Sequence, residues 1–209
     1  LVSRTKQLRA DILASAANLA APAGGDLVGY RLNTTDAASQ TVALKLSQIV
    51  SVKDFVCVDG LPVAGDGAHD DTTGIQRGIN YVAANGGVLY FPAGDYKLTA
   101  QIGANTMTAK AFTLRGAGWS ATRLIRGSDY GSIISFGNVS NFVIEDLSIV
   151  GNYATFPTNA NHGIVWFNGS NNRISRVKII DWKNSAIIGY AATGGDLSYG
   201  NNLVEDVQA

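Results

Sequence analysis

Thirty residues separate three similar stretches of this chain. Asn141–Ile149 (NFVIEDLSI) is followed by Asn171–Ile179 (NNRISRVKI) and then by Asn201–Ala209 (NNLVEDVQA). Aliphatic positions coincide: Ile144, Ile174 and Val204; Leu147, Val177 and Val207; Ile149 and Ile179. A fixed period of this size marks a solenoid, in which each repeat buries its apolar face only by stacking on its neighbours. The unit reads as strand rather than helix, so the period predicts stacked β-coils about 4.8 Å apart. Equivalent aliphatics then form internal ladders. Asn141, Asn171 and Asn201 are expected to form an asparagine ladder at a corner, where stacked amides bond one another. The working surface of such a fold is an extended side.

The bulk numbers agree with one sizeable β domain plus a small appendage. The chain has 209 residues, is 46% apolar, and carries 24 glycines against four prolines, which suits many tight corners. Basic and acidic residues balance at 16 each. No global field therefore points to nucleic acid or to an anionic membrane, and a neutral partner such as a glycan is compatible. A lone cysteine, Cys57, excludes an intrachain disulfide and a zinc cluster, and reads as a small buried hydrophobe in a protein made in a reducing cytoplasm. No stretch approaches the roughly 18 apolar residues of a membrane span. The sequence starts at Leu1 and stops within a repeat. Solenoid ends are ordinarily capped, so a longer polypeptide is expected.

Residues 3–21 read as a helix rich in alanine and leucine. Leu1, Thr5, Leu8, Ile12, Ser15 and Leu19 recur at alternating four- and three-residue steps, a short and partly polar heptad seam that suggests a small helical bundle or a trimeric coil. A secretion signal is the rival reading, and Asp11 and Asn18 interrupt its apolar core. Residues 22–26 form a breaker-rich link, and 27–30 an extended piece. A second helix over 41–49 is expected, capped by Ser39, then a strand over 51–55. Asp70 or Asp71 should cap an amphipathic helix bearing Ile75, Ile79 and Val82, stopped by Gly86-Gly87. A strand at 88–91 and a turn at 92–95 follow. Short strands are then predicted at 111–115, 122–126, 132–136, 142–149, 163–167, 173–180, 186–190 and 202–207. A sandwich would also use short strands, but the in-phase period favours coils. The expected division is 1–50, a helical anchor and linker, and 51–209, a β-solenoid.

The block from Val52 to Tyr96 resembles the start of the pectate-lyase-like, right-handed parallel β-helix found in many bacteriophage tailspikes. The residues carrying the resemblance are Val52, Asp54 and Phe55; Gly65-Asp-Gly67; Asp70-Asp-Thr72; Ile75-Gln76; Ile79; Gly86-Gly-Val88; and Phe91-Pro-Ala-Gly94 with Tyr96. It implies a capping helix and a first coil. Two departures stand out: a longer loop between Phe55 and Gly65, and Gly74 and Gly78 where the family often has alanine, which should weaken the capping helix slightly. Residues 27–55 are similar to the join between the virion-anchoring region and the β-helix in phage receptor-binding proteins. The resemblance implies a homotrimer fixed to tail or baseplate proteins through residues 1–50, made in the host cytoplasm, working on the virion, and recognising host capsule or lipopolysaccharide, often with cleavage.

Cleavage by hydrolysis needs two carboxyls, about 5–5.5 Å apart for retention or roughly 6.5–9.5 Å for inversion. A lyase needs a base and a group that neutralises a uronate. Coil stacking could assemble either from residues thirty apart. Glu145-Asp146 recurs as Glu205-Asp206, with Ser175-Arg176 between, which reads as a solvated corner in which Arg176 pairs its neighbours. Asp181 and Asp196 sit in turn-like surroundings. Tyr153, Phe156, Trp182, Tyr190 and Tyr199 could stack on sugar rings or serve the core. Asp59, Asp66, Asp70 and Asp71 lack calcium-loop spacing and read as turn and cap residues, while His69 and His162 lack zinc spacing. No catalytic residue carries over by motif, and no cofactor or metal is expected. Three functions remain. The first is a depolymerising tailspike, of which this stretch alone would show little activity. The second is a non-enzymatic adhesin or adaptor, and the third a cellular pectate-lyase-like enzyme.

Overall fold

The computed structural model describes residues 2–106, 108–157, 162–182, 184–190 and 202–208. The chain forms two compact units, Leu1–Gln48 and Ile49–Ala209. In the first, helix α1 (Val2–Ala20) follows from its run of strong helix formers. Its seam residues Leu8, Ile12 and Leu19 are each more than half exposed. A helical turn α2 (Gly24–Leu27) leads to β1 (Gly29–Tyr30), which pairs antiparallel with β2 (Gln40–Thr41). Helix α3 spans only Val42–Leu46. Its cap is Thr41, whose Oγ1 accepts the Leu44 N–H at 3.1 Å, rather than Ser39. The expected continuation to Ile49 fails because Ile49 joins a sheet.

That sheet opens the second unit with β3 (Ile49–Ser51). The expected strand over 51–55 is instead a 3-10 turn, Val52–Asp54. Ser51 accepts the Lys53 N–H and Asp54 accepts the Ser51 N–H, a reciprocal cap that bends the chain off the strand. After β4 (Asp66–Asp70) comes the capping helix α4 (Thr72–Asn85), which buries Ile75, Ile79 and Val82 completely. Gly74 and Gly78 do more here than lower helix propensity. A Cβ at Gly74 would lie 2.3 Å from Val63 Cγ2, and one at Gly78 would lie 2.9 Å from Leu89 Cδ1. Gly74 lets the helix lie against the Phe55–Gly65 loop, and Gly78 lets it lie on Leu89 of the first coil.

The coils then run through β5 (Gly87–Phe91), β6 (Gly94–Leu98), β7 (Ile102–Asn105), β8 (Phe112–Gly116), β9 (Thr122–Arg126), β10 (Ile134–Gly137), β11 (Phe142–Val150), β12 (His162–Phe167), β13 (Arg173–Ile180), β14 (Ser185–Tyr190) and β15 (Leu203–Gln208). All pairings among β3–β15 are parallel. One sheet stacks β7, β10, β12 and β14; the other strands form a continuous second sheet. Strand β11 meets two strands of the coil beneath it. Residues 142–145 pair with β8 and residues 148–150 with β9. The later coils therefore have three sides, two of them arms of one bent strand.

The core is built of aliphatic ladders that include Ile144 with Ile174 and Ile149 with Ile179, as the period predicts, and that extend to residues the period did not mark, while Val204 on the last coil is 45% exposed. Leu89, Leu114, Ile144 and Ile174 stack in register, as do Tyr96, Leu124, Ile149 and Ile179, and Ile102, Ile134 and Ile164 line the third side. All are 0–1% exposed. Phe112, Phe136 and Phe142 close one corner, with ring centroids 4.6–6.4 Å apart. The asparagine ladder forms between Asn171 Nδ2 and Asn141 Oδ1 at 3.3 Å; Asn201 lies outside the described residues. A second ladder, Asn168 to Asn138 to Asn105, runs at 3.1 and 2.8 Å. β7, the first strand of its four-stranded side, would expose its edge, and Gln76 of α4 covers it. Its amide donates to the Gly103 carbonyl at 2.7 Å and accepts the Gly103 N–H at 2.9 Å.

Arg126 is fully buried. Its guanidinium donates to Asp129 at 2.8 Å, to the Phe156 carbonyl at 2.8 Å and to the Tyr130 carbonyl, between the rings of Tyr130 and Phe156. This ties two loops on successive coils.

The ladders carry a stability prediction. Ile144→Ala removes a fully buried side chain from the middle of a stack and should cost about 2–5 kcal/mol in urea unfolding. Leu203→Ala, at a position 48% exposed, should cost less than about 1 kcal/mol. Equal losses would contradict the ladder as the seat of stability.

Candidate functional site

The bend in β11 is made by one residue. Asp146 has φ 60°, and the equivalent residues one and two coils further on, Arg176 and Asp206, have φ 52° and 50°. A single left-handed residue resets the pleat, so the inward positions Ile144 and Leu147 lie three apart rather than two. Asparagine, aspartate and glycine tolerate this conformation; arginine there costs roughly 1 kcal/mol. In the coil below, Gly116 occupies the corner, where a Cβ would lie 2.2 Å from the Asp146 carbonyl oxygen. The chain then makes the loop 117–121 before β9. Gly118 donates its N–H to the Asp146 carbonyl at 2.8 Å, and Ser148 Oγ donates to the Trp119 carbonyl. These bonds fix the loop at the corner and leave the Trp119 ring 40% exposed.

Trp119, Asp146, Arg176, Asp206 and Gln208 line a groove of about 490 Å³ along this corner. Arg176 donates from Nε and Nη2 to the two Asp146 oxygens at 2.6 and 2.9 Å, and from Nη2 to Glu145 Oε2 at 2.9 Å. Arg115 donates to the other Glu145 oxygen at 2.6 Å. Asp146, and then Glu145, push the Arg176 pKa still higher, and Arg176 holds Asp146 below the usual carboxylate range. Glu205 accepts from Arg173 at 2.8 Å. The expected corner, with Arg176 pairing its neighbours, is therefore present.

Its chemistry follows from which lone pairs remain. Both oxygens of Glu145 and both of Asp146 are spent on guanidinium groups, so neither is a free acid or base. The Asp206 carboxylate and Arg176 Nη1 have no hydrogen-bond partner among the described residues. The corner thus presents an aromatic face and unspent guanidinium donors, a set suited to holding a polyhydroxylated ligand.

The other aromatic and acidic candidates go elsewhere. Phe156 stacks on Arg126 with 5.7 Å to the centroid, Trp182 packs against the core, and the Tyr153 N–H bonds the Asp181 carbonyl at 3.2 Å. Asp181 takes a left-handed turn position, φ 62°. Tyr190 lies on β14, and Asp196 and Tyr199 lie outside the described residues. Trp119 was not a candidate. Its sequence signal, a tryptophan between Gly118 and Ser120, reads only as loop; the register that places it beside Arg176 exists only in three dimensions.

A second cluster sits where the Phe55–Gly65 loop meets α4. The ligand atoms of Cys57, His69 and Asp71 lie within 4.8 Å of one another. Hydrogen bonds occupy the imidazole and the carboxylate. His69 bonds Asp71 at 2.8 Å and Asp59 at 2.9 Å, and the Asp71 oxygens accept the Ala64 and Gly65 N–H groups at 2.7 and 2.8 Å. Asp71 thus clasps the loop, while Asp70 takes the cap bond from the Thr72 N–H at 3.1 Å. Asp66 accepts from Ala68 and His69, a turn role. Burial pushes the Cys57 thiol up. His162 begins β12 with its Nδ1 buried.

Two predictions follow from these clusters. Asp71 and then Asp59 raise the His69 pKa above its ordinary value near 6.5. Its contribution to stability is complete below about pH 6.5 and is lost as pH rises through the raised folded value. Asp59 and Asp66, held low by their hydrogen bonds, weaken only in acid. The melting temperature should therefore fall from about pH 6 to about pH 9, and His69→Gln should flatten that slope. An unchanged slope in His69→Gln would refute the assignment. At the corner, Arg176→Asn relieves the left-handed strain while losing the partly exposed pair with Asp146 and one of the two guanidinium partners of buried Glu145, which keeps Arg115. It should shift the unfolding free energy by no more than about 1 kcal/mol. A loss of about 3 kcal/mol would make Arg176 a structural clasp instead.

Comparison with known proteins places this geometry. A family model described as rhamnogalacturonase A/epimerase, pectate lyase-like, matches residues 50–206. The mannuronan C5-epimerase AlgE4 of Azotobacter vinelandii is 37% identical over 130 residues, 57% of this chain and 22% of the relative; AlgE6 is 36% identical over 131, 57% and 14%. The chain spans under a quarter of the length of these relatives. Among solved structures, a tailspike mutant of E. coli bacteriophage HK620, in complex with a hexasaccharide, superposes with TM-score 0.70 at 20% identity, over 93% of this chain and 36% of that one. ORF18 of Geobacillus virus E2 gives 0.55 at 24% identity over 74% and 33%, and the AlgE4 A-module 0.56 at 21% over 76% and 50%. The fold is the parallel β-helix that Val52–Tyr96 led one to expect.

Proposed function

The chain belongs to the rhamnogalacturonase A/epimerase, pectate lyase-like family, and from that membership we propose that it is part of a phage tailspike that recognises host surface polysaccharide. Residues 1–50 fix it to tail or baseplate proteins of the virion, and the β-helix, residues 51–209 here, presents the glycan-facing surface. The observation that carries this reading is the extent of the fold likeness. The β-helical unit is about three quarters of the chain, close to the 76% covered by the AlgE4 module. The HK620 tailspike covers 93%, so that match reaches into the N-terminal unit as well. That neighbour was solved with a hexasaccharide, and the named relatives act on mannuronan, so polysaccharide is the common ligand class.

The exposed seam of α1 supports a homotrimer. Leu8, Ile12 and Leu19 are 53–61% exposed, and burying such a stripe against two copies is the usual remedy. No described helix is long and apolar enough to cross a membrane. Capsule or lipopolysaccharide is the proposed target, and depolymerisation the proposed activity of the full-length protein. The spent carboxylates of Glu145 and Asp146 favour a second reading for this portion, in which it holds glycan without cutting it.

Incubation of full-length protein with host capsular or O-antigen polysaccharide separates the two. New reducing ends or unsaturated-sugar absorbance are expected; retention of intact polymer without either product would leave an adhesin. Light scattering should give a trimer that Ile12→Asn weakens. A wild-type monomer at micromolar concentration would remove the assembly.

A further inference from the structure

A cysteine, a histidine and an aspartate meet where the Phe55–Gly65 loop crosses the start of α4. We propose that Cys57, His69 and Asp71 form a zinc site that staples this loop to the capping helix. Their three donor atoms lie within 4.8 Å of one another. Zinc bonds sulfur at about 2.3 Å and nitrogen or oxygen at about 2.0–2.2 Å, so tetrahedral donors sit roughly 3.5 Å apart. Closing the cluster by at most about 1.3 Å therefore puts all three donors on one ion. His69 Nδ1 and Asp71 Oδ1, joined by a hydrogen bond at 2.8 Å, open slightly as the ion replaces the proton between them. Sulfur, imidazole nitrogen and carboxylate oxygen together suit zinc, whereas calcium and magnesium take oxygen ligands. Donors at 57, 69 and 71 match no zinc spacing, and they meet only because the loop folds back over the helix.

Each donor is already held by a neighbour. His69 Nε2 bonds Asp59 at 2.9 Å, and a carboxylate on the far nitrogen is the usual partner of a metal-bound imidazole. The Asp71 oxygens accept the Ala64 and Gly65 N–H groups at 2.7 and 2.8 Å, so the carboxylate keeps its orientation. The Oδ1 lone pair that meets His69 is the one left for the ion. Cys57 Sγ accepts the Gly74 N–H in the first turn of α4, where the positive end of the helix favours a thiolate. The nearby cations do not compete for these atoms. Lys53 donates to the Ala64 carbonyl, and Arg77 donates to the Val56 and Cys57 carbonyls. On binding, the thiol proton and the proton between His69 and Asp71 pass to solvent, and water takes the fourth position. The His69 side chain is 18% exposed and gives the ion its approach, while Cys57 and Asp71 are buried. The loop has need of such a staple. Its tip exposes Val58 and Leu61, 85% and 57%, so packing holds that tip weakly at the end of the solenoid.

The test uses the full-length protein, stripped with a chelator and titrated at neutral pH with zinc chloride, then with cobalt chloride. Zinc should bind with Kd below about 1 μM. Free zinc at a hundredfold excess over Kd should raise the melting temperature by about 5 °C or more. Cobalt should give the near-ultraviolet sulfur-to-metal absorption of a thiolate ligand. Cys57→Ser should remove that band and weaken zinc binding by at least about a hundredfold. Asp59→Asn keeps all three donors and should weaken zinc by about tenfold, and it decides the matter with the wild-type cobalt spectrum if Cys57→Ser does not fold. Absence of zinc binding at about 10 μM would overturn the proposal. So would a wild-type cobalt complex without the thiolate band, or zinc affinity that both variants leave unchanged, because the metal would then sit elsewhere.

Discussion

From β11 through β13 to β15 one circuit of the chain takes thirty residues, and at its end the backbone meets hydrogen-bond partners one coil below. Val143 pairs with Arg173, and Arg173 with Leu203, in unbroken parallel register. A single coil could satisfy neither its backbone groups nor its apolar side chains. Two neighbours are needed, and so equivalent residues must be chemically compatible with themselves. Inside, that requirement selects aliphatics. At the corners it selects asparagines whose amides bond one another at 2.8–3.3 Å. The ends need something else, and α4 with Gln76 supplies it at the first coil.

The same constraint builds the outer surface. Because coil positions repeat, a corner residue is replicated as a column, and a column of like charges would repel itself. The corner at 146, 176 and 206 alternates Asp, Arg and Asp, and the adjoining column runs Arg115, Glu145, Ser175 and Glu205. Guanidinium groups neutralise the carboxylates between coils. What is left over after that pairing, the Nη1 group of Arg176, is what the corner can offer a ligand. Trp119 joins it because the coil below leaves the regular path at Gly116 and returns six residues later at Thr122.

Much of this was legible in the sequence, for physical reasons. The period exposed the ladders, since Ile144, Ile174 and Val204 can coincide only if the coils stack. The Asp70-Asp71-Thr72 and Gly86-Gly87 signals marked both ends of α4. Beyond β2 and β3, which fell at the ends of an expected helix, strands β4, β6 and β7 were missed. β4 is Asp-Gly-Ala-His-Asp, a composition that disfavours strands, and it is held by pairing to β6; β6 begins inside an apparent Pro-Ala-Gly-Asp turn; β7 is interrupted by Gly103. Asp71 sat at the helix start as anticipated, yet its carboxylate turned back to the Phe55–Gly65 loop, a contact between residues that local propensity does not couple. Glycines 74 and 78 read as weak helix formers because their neighbours, Val63 and Leu89, were invisible without the fold. The corner site was half legible. Its charges recurred at plus thirty and plus sixty, but its aromatic wall came from an irregular loop that no period announces.

A crystal structure of the full-length protein soaked with a host surface oligosaccharide tests most directly whether the bent corner, rather than the flat side formed by β7, β10, β12 and β14, is where polysaccharide binds. A sugar ring stacked on Trp119, with hydroxyls within hydrogen-bond reach of Arg176 Nη1, is expected. A sugar ordered along the flat side, with the Trp119 corner vacant at saturating ligand, would contradict it.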